Sequence, residues 1–190
     1  MSQREILTNY RDQLLYFAPT NDAASYFTNS LVYIGEHNDQ GSLGLIINRT
    51  IEITTKQFFN SLGMDVKCKL SQRKLLMGGP LSPGAVFVLH DTDKEWESTM
   101  PINDKVSLST SKDVLEDISK GNGPKNYLIA LGYSGWDGQQ LDAEISENAW
   151  ISSSSNFEIL FEMNPEDKVN GLSKLLGFNV EMISPEPGNA

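Results

Sequence analysis

The segment Leu128-Ile-Ala-Leu-Gly-Tyr-Ser-Gly-Trp-Asp-Gly-Gln-Gln-Leu141 constrains the fold of this chain more than any other. Its first part, with Tyr127, reads as a strand buried on both faces. A glycine-rich turn carrying Tyr133 and Trp136 follows, and then the start of a helix. Asp137 has the chemistry of an N-cap and Gln140 stands three residues on, the spacing of a capping box. Leu141 and Ile145 mark the buried face of that helix. Two large amphipathic aromatics in one turn either pack on the core beneath it or face a ligand or partner, and both readings stay open here.

The other elements alternate quickly between strand and helix. Strand patterns cover Gln13–Phe17, Ser30–Ile34, Ser42–Asn48, Arg73–Met77, Val86–His90, Asp104–Ser109 and Phe157–Phe161. Asn38 to Gly41 has turn chemistry, so Ser30–Ile34 and Ser42–Asn48 form an antiparallel hairpin with a loop of several residues. Helices are expected from Thr54 or Thr55 to Leu62, and from Thr110 to the breaker Gly121-Asn-Gly-Pro124. The last runs from Pro165, a proline suited to the first helical position, to Gly177, with an apolar stripe of Val169, Leu172, Leu175 and Leu176. Ser152 to Ser155 is a small polar run between elements. No regular βαβ repeat appears and no linker divides the chain. The expectation is an α+β single domain over residues 1–183: a largely antiparallel sheet, partly closed into a small barrel, surrounded by helices. A disordered tail is expected over 184–190, where two prolines and a glycine fall.

The charge and the cysteine count exclude several function classes. With 190 residues and a formal net charge of −10, the chain is poorly suited to holding nucleic acid, whose phosphates need Lys and Arg. One cysteine, Cys68, allows no intrachain disulfide, which fits a reducing cytoplasm. The first ten residues have no apolar core of a signal peptide, and no apolar run approaches the length that spans a bilayer. The expected location is cytoplasmic, with no membrane partner.

The chemistry-bearing residues form no strong motif. His37 and His90 each end an expected strand beside carboxylates, Glu36 and Asp39 for one, Asp91 and Asp93 for the other. A mixed metal site would need both strand ends to meet, and no ligand pair shares a local spacing, so no metal and no cofactor are expected. Polar residues at strand ends more often satisfy loop backbone groups. Gly132-Tyr-Ser-Gly135 begins like a nucleophile elbow, but Trp136 stands where the elbow needs glycine, and both histidines lie upstream of Ser134. No catalytic residue is assigned. Gly78-Gly79-Pro80 reads as a turn rather than a phosphate loop, since neither a Lys-Ser/Thr ending nor a GxGxxG pattern accompanies it.

Four segments, in order and spacing, carry a family resemblance. They are Ser30 to Asn38 with Gly41 to Asn48; Gly78-Gly-Pro-Leu81 with Phe87-Val-Leu-His90; Ser109 to Leu115; and Ala130 to Trp136 continuing through Gln140-Leu141, Glu144-Ile145 and Asn148-Ala-Trp150. Together they resemble the YqgE/AlgH family, also called UPF0301 or DUF179, over nearly the whole chain from about Leu14 to about Val180. The resemblance implies a bacterial cytoplasmic protein of α+β fold with a partly closed sheet. It implies no established enzyme activity and no cofactor. It also brings a label of transcriptional regulator, although the chain shows no helix-turn-helix pair with a basic second helix. The chain departs from the family in carrying Gly84-Ala-Val86 where Asp-Arg-Gly is usual, Gly35 where Cys is common, and Ser134 where Ala is usual.

The functional expectation is a non-enzymatic binding or regulatory protein, with an unknown protein partner or small ligand. Its candidate surface is Glu36, His37, Asn38, Gly78, Gly79, Pro80, His90, Tyr133 and Trp136. The alternative is a small-molecule hydrolase or other enzyme using His37 or His90 with a nearby carboxylate.

Overall fold

The long strand through the glycine segment organises the molecule. In a computed structural model that describes residues 9–19, 22–66 and 72–183, Tyr127–Asp137 is one continuous strand, β9. No turn interrupts it. It bends at Gly132, whose φ is +70°, a conformation that L side chains rarely adopt. A Cβ there would lie 2.7 Å from the Gly79 carbonyl oxygen.

The bend lets β9 serve two sets of partners. Its second half pairs antiparallel with β3 (Gly41–Ile46) in the register Gly41↔Asp137 to Gly44↔Ser134. Its first half pairs antiparallel with β6 (Leu81–Asp91) and parallel with β5 (Lys74–Met77). The sheet order runs β10 (Ile151–Ser154), β1 (Gln13–Phe17), β2 (Ser30–Asn38), β3, β9, β6, β8 (Val106–Ser109) and β7 (Met100–Pro101), with β4 (Thr50–Thr54) joined through β5. The sheet is strongly curled into a half-barrel, antiparallel except for the β5–β9 pair, with helices packed around it. The α+β expectation holds.

Inside the curl, Leu14, Tyr16, Leu31, Tyr33, Leu45 and Leu89 belong to the main core, all at most 3% exposed. Outside it, two smaller clusters bury the helices. One joins Phe58 and Phe59 of α1 (Thr55–Ser61) with Val114, Leu115 and Ile118 of α2 (Lys112–Lys120). The other joins Trp136 and Trp150 with Leu141 of α3 (Gln140–Ser146).

Several expected elements form as read. Thr54 caps α1, its hydroxyl accepting from the Gln57 N–H while Gln57 accepts the Thr54 N–H in return. Gly121 and Gly177 end α2 and α4 (Lys168–Leu176) in the left-handed conformation.

Others differ. The β2–β3 hairpin turns in two residues, Asp39 and Gln40, with Asn38 opposite Gly41. Phe157–Phe161 is not a strand. A π-helical turn spans Glu158–Glu162 and buries Ile159, Leu160 and Phe161 together. A short apolar run has no period that separates the two states. The polar run at Ser152 is a strand after all: β10 pairs with β1 at the sheet edge, where polar residues suit the solvent-facing side. The α3 N-cap is Gln139 at φ +62°, not Asp137. Only the return half of the expected box forms, the Asp137 N–H donating to Gln140 Oε1 at 3.1 Å. Cys68, the first eight residues and the expected tail at 184–190 lie outside the described residues.

Candidate functional site

The mouth of the β2–β3 hairpin lies beside the second half of β9, and a groove of about 500 Å³ runs between them. Four of the expected site residues meet there: Glu36, Asn38, Tyr133 and Trp136. The rim is polar and acidic. Glu36 and Asp137 are exposed, and the Asn38 amide donates to Glu36 Oε1 at 2.9 Å, holding the carboxylate in place. The Gln40 N–H donates to Asn38 Oδ1 at 2.8 Å, an Asx turn that fixes the hairpin tip.

The floor is apolar. Leu81 is 42% exposed, a large hydrophobic side chain left open to solvent. Tyr133 is half-buried and rests on Phe87 with ring centroids 5.6 Å apart. Gly135 keeps both in position, since a Cβ there would fall 2.8 Å from Leu81 Cδ1 and 3.2 Å from Tyr133 Cε2. Trp136 lines the groove but belongs to the core, at 5% exposure, so Tyr133 is the more accessible of the two aromatics.

The remaining expected residues are placed apart from that groove or beneath it. Gly78 and Gly79 are buried under the β9 bend, where added Cβ atoms would meet the Gly132 oxygen at 2.3 Å and the Tyr133 carbonyl at 2.2 Å. The Gly78 backbone is committed to the sheet: its N–H donates to the Leu131 carbonyl, and its carbonyl accepts from the Ile46 N–H and from the Ser134 hydroxyl. Pro80 is exposed just beyond them.

His90 is fully buried in β6. Its Nδ1 lies 2.6 Å from the Asp91 carbonyl, and a carbonyl only accepts, so Nδ1 carries the proton. Nε2 then accepts from the Ser109 hydroxyl at 2.9 Å, and Ser109 in turn accepts from Thr99 at 2.8 Å. Burial holds the His90 imidazole below its ordinary pKa, against the opposing pull of the Asp91 carbonyl and charge. Two strands, β3 and β9, separate β6 from β2, so the two histidines build no joint centre. Among the described residues no group of three or more His, Cys, Asp or Glu side chains is arranged to hold a metal ion.

His37 has a different neighbourhood. Its Nδ1 lies 2.7 Å from the Ser42 hydroxyl, and its Nε2 lies 3.7 Å from Asp142 Oδ2 on α3. The edge of Tyr10 covers the ring, with centroids 5.3 Å apart. Its side chain is only 4% exposed, while Ser42 also lines the groove. The carboxylate beside His37 is therefore neither Glu36 nor Asp39. Ser42 was within reach of sequence reading: once the turn has two residues, position 42 falls opposite 37. Asp142 and Leu81 carry no local signal, because helix packing and a register shift between Leu81 and Val86 place them.

The matched sequence and fold agree on a family. The family model described as DUF179, AlgH-like, matches residues 14–181. The chain belongs to that family. It is similar to a UPF0301 protein of Nitrosospira multiformis, 41% identical over 166 residues that cover 87% of this chain and 89% of the relative. A UPF0301 protein of Thiobacillus denitrificans is 39% identical over 164 residues, 86% of this chain and 89% of the relative. The solution structure of AlgH from Pseudomonas aeruginosa superposes with a TM-score of 0.78 at 33% identity, covering 100% of both chains. Protein DIP2367 from Corynebacterium diphtheriae shares the fold, with a TM-score of 0.69 at 16% identity over 92% of this chain and 90% of that one. The family is one of uncharacterised proteins, and its biochemical function is unknown. Among the described residues no helix is long and apolar enough to cross a membrane.

Proposed function

We propose that this chain is a non-enzymatic binding protein of the cytoplasm, acting on a protein partner through the groove between the hairpin mouth and β9. One observation carries the reading: a floor of exposed Leu81 and half-buried Tyr133, rimmed by the carboxylates of Glu36 and Asp137. An apolar floor inside a charged rim is the anatomy of a recognition surface. The sign of the rim favours a basic segment carrying Lys or Arg next to a hydrophobic side chain. The same carboxylates repel phosphate, so a regulatory role runs through protein contacts and not through DNA.

The test is binding of a set of extended peptides, each with Lys or Arg beside Leu or Phe, measured by fluorescence polarisation. Wild-type protein should bind a subset of them. Glu36→Lys and Leu81→Asp should each weaken that binding about tenfold, the scale of one charge-assisted or apolar contact, with the unfolding midpoint unchanged. Peptide binding that is absent, or that survives both substitutions, sinks the proposal.

The Ser42–His37–Asp142 arrangement favours a second reading, a serine hydrolase. His37 would take the Ser42 proton through Nδ1 while Asp142 stabilises the resulting imidazolium. The 3.7 Å approach is an ion-pair distance, longer than a hydrogen bond. Turnover of p-nitrophenyl acetate that vanishes in both Ser42→Ala and His37→Gln would support it. Equal turnover in the wild type and both variants would end it.

A further inference from the structure

A second cleft, of about 510 Å³, opens on another side of the sheet. It exists because β5 and β9 pair only at Leu76↔Ala130 and Met77↔Leu131. Upstream of that contact β5 pairs with β4 instead, Lys74 lying opposite Thr54, and the wedge left against Tyr127–Ile129 is roofed by the segment from Met163 to Glu166.

The charge in this wedge runs against the rest of the molecule. Among the described residues Arg73, Lys74 and Lys125 line it with Glu166, and Glu52 pairs with Lys74, so three cations face two carboxylates in a chain whose 25 acidic residues outnumber its 15 Lys and Arg. At physiological ionic strength charges are screened beyond about 8 Å, so the local cations set the sign of the cleft and the distant carboxylates do not. Each cation is held differently. Arg73 donates to the Phe161 carbonyl at 3.2 Å. Lys74 reaches Glu52 at 2.6 Å, an exposed pair that a competing anion exchanges at little cost. Lys125 is exposed at the cleft edge, with no hydrogen bond or ion pair to any other described residue. Between the cations lie apolar walls from Leu76, Leu128 and Met163, and the ring of Tyr127.

We infer that this cleft binds a phosphomonoester with a compact apolar or aromatic body. Its phosphoryl group would sit among Arg73, Lys74 and Lys125, and its body would lie against Leu128 and Tyr127. Arg73, held on the Phe161 carbonyl, supplies positive charge from the wall, and Lys74 and Lys125 add the point charges that meet the phosphoryl oxygens. A dianion that displaces Glu52 from Lys74 meets more of the cationic charge than a monoanion does. Behind the wall, the buried Lys168 amine has its pKa lowered, first by burial and then by the Arg73 charge. The positive field of Arg73 thus reaches into the protein as well as into the cleft.

The site is independent of the hairpin groove and its test reads a different place. The ¹⁵N-labelled full chain is titrated with phenyl phosphate, and in parallel with benzoate. Phenyl phosphate should give saturable amide shifts at residues 74–76, 126–129 and 163–166 and bind more tightly than benzoate. Lys125→Glu should weaken it at least about tenfold, the scale of one hydrogen bond to a charged group. That variant should keep the wild-type spectrum elsewhere, because Lys125 is exposed. Lys74→Glu should weaken binding as well. No saturable shift up to about 10 mM, weaker than any useful affinity, overturns the inference. So do shifts that both charge reversals leave unchanged, or shifts confined to the hairpin groove. Benzoate binding as tightly as phenyl phosphate overturns the phosphoryl assignment.

Discussion

Trp136 and Trp150 share one acceptor. Both indole N–H groups donate to Glu144 Oε2, at 3.0 and 2.8 Å, and the two rings meet edge to face with centroids 5.7 Å apart. Gln140 donates to the other oxygen of the same carboxylate at 2.9 Å. One side chain on α3 therefore ties the end of β9 to the start of β10, and Phe27 stacks over the Trp136 ring.

Glu144→Ala leaves both indole donors without that partner. Each unsatisfied buried donor costs about 1–3 kcal/mol, so the variant should lose about 2–6 kcal/mol of stability in urea unfolding. Glu144→Gln keeps an acceptor oxygen and should lose less. Equal stability of Glu144→Ala and wild type would show that the indoles are held by packing alone.

Gly79→Ala places a Cβ against the Tyr133 carbonyl, 2.2 Å away, with backbone on both sides of the contact. No rotamer relieves that overlap. The bend of β9 must open, at a cost of about 1–3 kcal/mol or more for overpacking, and the unfolding midpoint should fall. Gly84→Ala meets nothing within 4 Å and serves as the control that should unfold like the wild type.

His90 is held below its ordinary pKa of 6.5 by burial. The unfolded chain then binds a proton, as pH falls through 6.5, that the folded chain resists. The stability from His90 is complete above 6.5 and is lost below it, with a slope of at most about 1.4 kcal/mol per pH unit. His90→Gln should flatten stability curves measured between pH 6.5 and 5. An unchanged slope would place the acid sensitivity in other groups.

Lys168 acts at the alkaline side. Its buried amine donates to the carbonyls of Ile159 and Leu160, and burial brings its pKa from 10.5 to about 7. A neutral amine still has two N–H donors, so both carbonyls stay satisfied in either state. Between about 7 and 10.5 the unfolded chain holds the proton that the folded chain has released. This group's contribution is therefore complete above 10.5 and is lost as pH falls to about 7. Lys168→Met should remove that part of the rise with pH and also loosen the π-helical turn. A wild-type slope in the variant would reject the assignment.

The sheet's main strands, the α1 cap and the glycine ends of α2 and α4 were legible in the sequence because their signals are local, whereas the α3 cap fell at Gln139 and not at Asp137. Thr54, Gly121 and Gly177 fall at positions that state their roles. Ser152–Ser155 and Phe157–Phe161 were not, because an edge strand of serines and a buried apolar turn are decided by neighbours distant in sequence. The same holds for the groove. Glu36, Asn38 and Tyr133 were readable as polar or amphipathic residues near strand ends, but Leu81 reaches them only through the shift in the β6–β9 register. The wedge between β5 and β9 had no sequence signal at all, since it is made by the absence of pairing.

The single strand that belongs to both halves of the curl also sets a timetable. β9 must be present before β3, β5 or β6 can complete its hydrogen bonds, and β10 comes later still to close the edge of β1. During synthesis the earlier hairpin waits with its β3 edge open, and β6 waits with the edge that β9 will cover also open. Such long-range pairings make folding slow and expose unpaired edges meanwhile. A destabilised bend at Gly132 should therefore appear first as aggregation of newly made chains, before it appears as a lowered melting point of the finished protein.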